Sequence, residues 1–359
     1  MRRYAYSERG TRIAHLVTPS GVSVRESIDQ VRALMIQALT VRGLSTADAE
    51  FITDDFVEAQ AEGHLTHGIG KFLLIDEVLQ RRVGEPIEVS RSGAVAVVDG
   101  QREVGQLAAR KAAEIAVELA ESHGVGMATL RNAGRFSRLT PYARAIASSG
   151  HVALVANNAG PAAVTPHGSR TPVMGTNPIA FGFPRAGGSP YVIDFSTAER
   201  VWGEIRQAIL EERPLPDNAF LDAAGNVTTD PEAVEAVLPF GGHKGAALCI
   251  AIEMLAGVLA GAAMGQAVTD EYQLGAVFIA MRPPAALTPA SSVDELLSEI
   301  RQATPRNGAG PVKAPGDRSE ATRTKTTQDG GFDLDPNTKS VLMTMSEGGV
   351  GLAANWLTN

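Results

Sequence analysis

The chain has 359 residues, 44% hydrophobic, 20% charged and 5% aromatic, with a formal net charge of -8 and one cysteine. Its length exceeds one ordinary core and predicts two or three closely built units of roughly 100 to 200 residues each. The acidic balance gives no electrostatic footprint for nucleic acid or an anionic membrane, and a lone Cys249 in an apolar run suits a reducing cytoplasm.

Residues 1–21, opening "MRRYAYSERGTRIAHL", carry positive charge without the apolar centre of a secretory signal and are expected to form a loose arm. The stretch "SVRESIDQVRALMIQALTVRG" then spaces its apolar residues by three and four, and the pair Ser23 and Glu26 predicts a capping box at its start. Ser45 and Asp48 open a second helix, and after "HLTHG" a third periodic run covers "KFLLIDEVLQRRV". From about residue 93 strands alternate with helices: "GAVAVVDG", a helix from about Val104 to Ser122, "GVGMATLRN", a helix around "PYARAIASSG", and "HVALVANN". Between Ala159 and Thr197 Gly and Pro accumulate and helical periodicity is lost, which predicts strands and turns supporting a site. A helix near Arg200 to Glu211 and a polar loop follow. The run "GAALCIAIEMLAGVLAGAAMG" approaches membrane length, but Glu253 and its glycines predict a buried helix. The strand "GAVFIAMRP", a helix near Asp294 to Gln302, a Gly/Pro/Lys/Arg loop and a helix after Asp335 and Pro336 complete the chain.

Three short stretches carry candidate chemistry. No strand runs into G-x-G-x-x-G, and "GGHKG" at Gly241 to Gly245 lacks the spacer and hydroxyl of a Walker A loop. It does precede the long apolar helix, so Lys244 and the helix amides either hold an anion or form a plain glycine-rich turn; local sequence supports both equally. "EGHLTHGIGK" gathers Glu62, His64, Thr66, His67 and Lys71. A metal site is disfavoured because no further His or Cys cluster completes a shell. A proton-donating histidine beside an anion-binding lysine, or a surface histidine pair, remain open. In "LRNAGRFSRLTPYA", Arg135 and Arg138 either hold an anion, do chemistry or face water.

Taken together, "EGHLTHG", "LRNAGRFSRL", "GTNPIAFGFP", "YVIDFSTA", "LPFGGHKGAAL" and "KAPGDRSEATR" resemble, in order and spacing, the type 2 malate/L-lactate dehydrogenases. That group includes ureidoglycolate, sulfolactate and 2,3-diketogulonate oxidoreductases and the cyclic-imine (piperideine/pyrroline-2-carboxylate) reductases. The resemblance covers about residues 22–340. It implies a mixed α/β (α+β) fold: a non-Rossmann nicotinamide-binding domain with a mixed sheet over residues 93–290, and a helical domain built from residues 22–92 and 291–359. It also implies NADH or NADPH, a homodimer and a small carboxylated substrate. Cofactor contacts would fall on Phe136, Ser137, Arg138, Leu139, Asp194, Phe195, Ser196, Lys244, Lys313 and Gly316. The substrate side would include Thr66, His67, Lys71 and Asn158.

Arg135 stands where the family generally carries a histidine, and Lys71 replaces a usual arginine. A guanidinium stays protonated at any physiological pH, so Arg135 can clamp a carboxylate but cannot cycle a proton. A preformed cyclic imine needs less acid catalysis than a ketone, which tolerates that loss. The resulting expectation assigns carboxylate binding to Arg135 and Lys71 and the remaining proton to His67, oriented or balanced by Asp194. Two rivals stand beside this oxidoreductase: a non-redox ligand-binding protein that keeps the cofactor cleft, and a metal-dependent hydrolase at His64 and His67.

Overall fold

The computed structural model describes residues 23–284 and 289–352, so the arm expected over residues 1–21 lies outside the described residues. Strand β1 (Val24–Glu26) replaces the first predicted helical turn. Helix α1 (Ile28–Thr40) is capped one turn later, by Ser27: its hydroxyl accepts from the Gln30 N–H while Gln30 Oε1 accepts from the Ser27 N–H. Helix α2 (Thr46–Ala61) starts at Ser45, whose hydroxyl accepts from the Asp48 N–H at 3.1 Å, as its sequence indicates.

"HLTHG" forms a single 3-10 turn over Leu65–His67, and the third periodic run, which begins earlier than expected, is split into α3 (Ile69–Phe72) and α4 (Ile75–Gln80). Gly68 separates the 3-10 turn from α3: its extended backbone leaves the space of a Cβ to the Gln60 side chain, and Gln60 Oε1 accepts from the Ile69 N–H at 3.1 Å.

Strands β2 (Ile87–Ser92) and β3 (Val95–Asp99), helix α5 (Gly105–His123) and strand β4 (Val125–Arg131) follow. Next come α6 (Thr140–Ser148), β5 (Val152–Asn157), β6 (Ile179–Phe183), β7 (Tyr191–Phe195) and α7 (Trp202–Leu210). A small pair, β8 (Phe220–Leu221) and β9 (Ala236–Val237), precedes α8 (His243–Ala260) and β10 (Gly275–Met281). Helices α9 (Pro289–Gln302) and α10 (Asp317–Gln328), strand β11 (Phe332–Leu334) and α11 (Pro336–Ser346) end the described chain.

Seven strands form one sheet in the order β2-β3-β4-β10-β5-β6-β7, in which β3 and β4 are parallel and every other pair is antiparallel. One parallel pair gives no switch point of the doubly wound kind, which accounts for the missing dinucleotide fingerprint. Strand alternation sorts the faces: Val155 and Phe278 join the core under α5 and α6, whereas Ala156 meets Ile252 of α8 on the other side. Helix α8 is apolar enough by composition to cross a membrane, yet Cys249, Ile252, Ala256 and Ala260 are buried against the protein. Its outer face leaves Met254 57% and Val258 66% exposed.

A second core joins Val31, Met35, Leu39, Ile52, Phe56 and Phe72 to Phe332, Leu334, Leu342 and Met345. The two ends of the described chain are stitched by the antiparallel β1–β11 ladder, where Arg25 donates twice to Asp333 at 2.7 Å. Helix α9 is tied elsewhere, through Arg185 and Asp294 beside the β6–β7 hairpin. Neither β2 nor α10 is marked in the sequence; α10 buries no residue, so it has no apolar stripe to betray it.

Candidate active site

The helical unit presents the turn after α2 to the loop after β4. His67 Nδ1 and Ser137 Oγ are hydrogen bonded at 3.0 Å, and Ser137 holds a left-handed backbone with φ of 62°. His64 turns away to Ser319 Oγ at 3.1 Å, so the two histidines do not converge as metal ligands. Thr66 abuts α7: a Cβ on Gly203 would lie 2.3 Å from Thr66 Cγ2. Withdrawal from water holds the His67 imidazole well below its ordinary pKa, reinforced by the positive charges of Lys71, Arg138 and His64. Burial, with Arg135 nearby, lowers the Lys71 ammonium to about 8, while Asp55 and Glu271 oppose that shift. The site at neutral pH therefore holds an uncharged His67 beside a still largely protonated Lys71.

The loop carrying Arg135 is placed by backbone packing. Gly134 N–H donates to Glu103 O at 3.1 Å, and a Cβ on Gly105 would sit 2.3 Å from Gly134 O. Arg135 is one-third exposed, with Nε 3.8 Å from Glu271 Oε2. Arg138 behaves differently. Its side chain is 6% exposed and bonds Asp55, Glu58 and Glu62 at 3.2, 2.9 and 2.7 Å. The guanidinium expected to touch cofactor is instead spent on clamping α2. Phe136 stacks in the core against Tyr142 and Phe278, and Leu139 is 1% exposed, so neither offers a side chain to the cleft.

Asp194 is likewise engaged. Its Oδ2 accepts from the Leu139 and Thr140 amides and the Thr140 hydroxyl at 3.0, 2.9 and 2.8 Å, satisfying the start of α6. Burial pushes its carboxyl up against these three bonds. It does not orient His67, which pairs with Ser137. Asn158 also departs from expectation: it donates to Ala263 O and Glu253 Oε1 and accepts from Gly275 N–H at 2.7 Å, leaving no free polar atom for substrate. Gly175 makes room for the Ala159 carbonyl, 2.2 Å from where a Cβ would lie. Ser196 Oγ donates to Thr176 O at 2.9 Å, and Phe195 is 36% exposed with its ring edge-on to Phe240.

A second region opens at the start of α8. Gly241 and Gly242 take φ of 59° and 63° and line a cavity of about 630 Å³ with His167, Arg170, Glu199 and Asn218. Gly245 permits the sharp entry, since a Cβ there would strike Phe240 O at 1.6 Å. Lys244 is exposed and, among the described residues, makes no hydrogen bond or ion pair. Tyr191 OH donates to Pro315 O at 3.0 Å, fixing the loop of Lys313 and Gly316; Gly316, at φ of 89°, leads into α10.

Residues 27–342 match the family model described as malate/L-lactate dehydrogenase. The chain is 33% identical to L-sulfolactate dehydrogenase of Methanocaldococcus jannaschii over 85% of its own length and 92% of the relative's. It is 36% identical to Delta(1)-pyrroline-2-carboxylate reductase 2 of Burkholderia multivorans over 66% and 71% of the two chains. A solved structure of the M. jannaschii sulfolactate dehydrogenase superimposes with a TM-score of 0.81 at 30% identity, covering 90% of this chain and 97% of that one. Fold and relatives define an oxidoreductase of the dehydrogenase and reductase type. Within that class, the chain belongs to the malate/L-lactate dehydrogenase family.

The relatives imply a nicotinamide cofactor. The residues here fit one: bare glycine backbone lining a cavity, the open amides at the head of an 18-residue helix, and an unpaired lysine together suit a pyrophosphate. No motif signals Glu271, or Asp55 and Glu58 of the acidic stripe that ends in Glu62. The stripe has a trace in sequence, three carboxylates at three-and-four spacing on an otherwise apolar helix face, which demands a buried cation.

Proposed function

We propose that this enzyme reduces a small carboxylated C=N compound, a cyclic imine, with NADH or NADPH, and that a 2-oxo acid is the second-choice substrate. The observation that carries the reading is the combination of two cations, Lys71 and Arg135, with an imidazole held in its uncharged form. When bound, the reduced nicotinamide supplies a hydride. Lys244 and the first amides of α8 would hold its pyrophosphate, with Ser196 and the Lys313 loop alongside. Lys71 and Arg135 hold the substrate carboxylate by charge, orienting the ring carbon that receives the hydride. An iminium nitrogen takes up the electron pair of its C=N bond and becomes an amine already carrying its proton, so no acid is required. His67, fixed by Ser137, accepts a hydrogen bond and then passes a proton to or from water. A ketone would need a proton at its oxygen, which neutral His67 gives up poorly.

We also read the enzyme as a cytoplasmic homodimer. The single buried cysteine supports the reducing compartment, and the exposed stripe Ile250, Met254 and Val258 along α8 supports a second copy packed on that face.

Oxidation of NADH and NADPH against a panel of cyclic imino acids and 2-oxo acids tests the reading, with Arg135→Ala and Arg135→His alongside. Arg135→Ala is expected to lower kcat/KM on the imine by roughly 10- to 100-fold, the worth of one charged contact, with cofactor affinity unchanged. Arg135→His should lose imine reduction and gain 2-oxo acid reduction, since a group of ordinary pKa about 6.5 returns to the cleft. Efficient 2-oxo acid reduction by the unaltered enzyme, unimproved by Arg135→His, would reverse the order of the two substrates.

A further inference from the structure

Between α8 and β10 the chain makes two 3-10 turns, and the second, Glu271–Gln273, has its geometry fixed from both sides. Asp270 Oδ1 accepts from the Tyr272 N–H at 2.9 Å, and Gln273 Oε1 accepts from the Thr269 and Asp270 amides at 2.7 and 2.9 Å. The turn runs almost at once into β10, the middle strand of the sheet. Glu271 points inward with its side chain 5% exposed. Arg81, at the end of α4, donates to Glu271 Oε1 at 2.9 Å and to Asp270 Oδ2 at 2.8 Å, and lies 4.5 Å over the Tyr272 ring.

One Glu271 oxygen is therefore held by Arg81, and the other faces Arg135 Nε at 3.8 Å. That Arg135 nitrogen is buried and has no hydrogen-bond partner. The separation is too long for a hydrogen bond and short enough for a strong attraction between charges away from bulk water. We propose that Glu271 is a positioning residue: gripped by Arg81, it anchors Arg135 and keeps that guanidinium and the Lys71 ammonium in one cleft. This rests on the reading that those two cations hold the substrate carboxylate.

The charges around the pair explain why an anchor is needed. Lys71 is faced by Arg135, Asp55, Glu271 and His67, and Glu271 by Arg135, Arg81, Asp270, Tyr272 and Lys71. Arg135 and Lys71 repel, and Glu271 is the acidic group that lies against the first and draws on the second. With Glu271 neutral, Arg135 loses its tether and Lys71 is left with Asp55 alone to offset its neighbours' positive charge. An ammonium already near 8 would then discharge within the neutral range.

The test follows the Lys71 titration by NMR of isotopically labelled lysines, assigned with Lys71→Arg, together with KM and kcat on Delta(1)-pyrroline-2-carboxylate. Glu271→Gln is expected to move the Lys71 midpoint down by roughly one pH unit and to raise KM about tenfold, with kcat within about threefold. Glu271→Asp, which keeps the charge, should bring the midpoint back. An unmoved midpoint in Glu271→Gln overturns the proposal, including when KM rises, because loosened packing alone would raise KM. Should Glu271→Gln not fold, Arg81→Gln takes its place by freeing Glu271: a raised KM that the charge-keeping Arg81→Lys restores supports the anchor, and a KM that is unchanged or not restored overturns it. Arg135→Ala with an unchanged KM would sink the reading of the substrate site itself, and it is seen in a different variant from any failure of Glu271.

Discussion

The head of α8 and the cleft around Lys71 both gather positive charge, and they do so in opposite ways. At α8 the charge is open: glycines at positive φ, free helix amides and Lys244 in water. Around Lys71 it is buried and balanced, with Arg138 held by three carboxylates and Arg135 facing Glu271. An open site built from backbone grips any phosphate that arrives, whereas a buried and balanced one binds an anion only of the right size and place. The first suits a cofactor shared by many enzymes and the second a particular substrate.

The largest effect that would sharpen this contrast is in Arg138. Arg138→Ala leaves Asp55, Glu58 and Glu62 without their common cation, and we expect a loss of about 3–5 kcal/mol in stability by denaturant melting. A variant as stable as the parent would mean that the buried charges are not the frame of the substrate cleft. Lys244→Ala should change the melt little and weaken cofactor binding by about 1.5–3 kcal/mol, read by titrating cofactor fluorescence. Unaltered affinity would take the α8 head out of the cofactor site.

The smallest expected effect lies in Lys71. Its folded pKa of about 8 lies below the ordinary 10.5, so folding releases a proton and stability rises with pH between those two values. Lys71→Met should therefore stabilise the enzyme at pH 7 by about 0.5–2 kcal/mol while removing substrate affinity, and the gain should fade as pH climbs through 8 towards 10.5. A destabilised Lys71→Met at pH 7 would show that the cleft needs this charge for its structure as well.

The two regions also differ in how far sequence revealed them. The α8 head was legible as a glycine-rich helix start because "GGHKG" is contiguous and a backbone turn follows local spacing, while its part as an anion site or a plain turn was left open by local sequence. The proposed substrate cleft draws on residues near 55, 67, 135 and 271, and spacing along the chain does not say which charges meet. Arg135 and Arg138 look alike in "GRFSRL", yet one is one-third exposed and the other enclosed by acids of α2. Asn158 reads as a polar residue at a strand end, and only the fold shows that Glu253, Ala263 and Gly275 use all of it. The capping box misled for a comparable reason. Ser23 and Glu26 satisfy the local rule, but pairing with residues 332–334 draws that segment into a strand and leaves the box to Ser27 and Gln30.

That pairing bears on how the enzyme is made. Arg25 and Asp333 are 308 positions apart, so β1 emerges from the ribosome long before β11 exists. The sheet can assemble while synthesis continues, but α1 and α3, the helix that follows the turn bearing His67, share a core with Phe332, Leu342 and Met345 and must wait for them. On the proposed assignment the nascent chain holds its cofactor platform before its substrate cleft, and reductase activity should appear only once α11 has been translated.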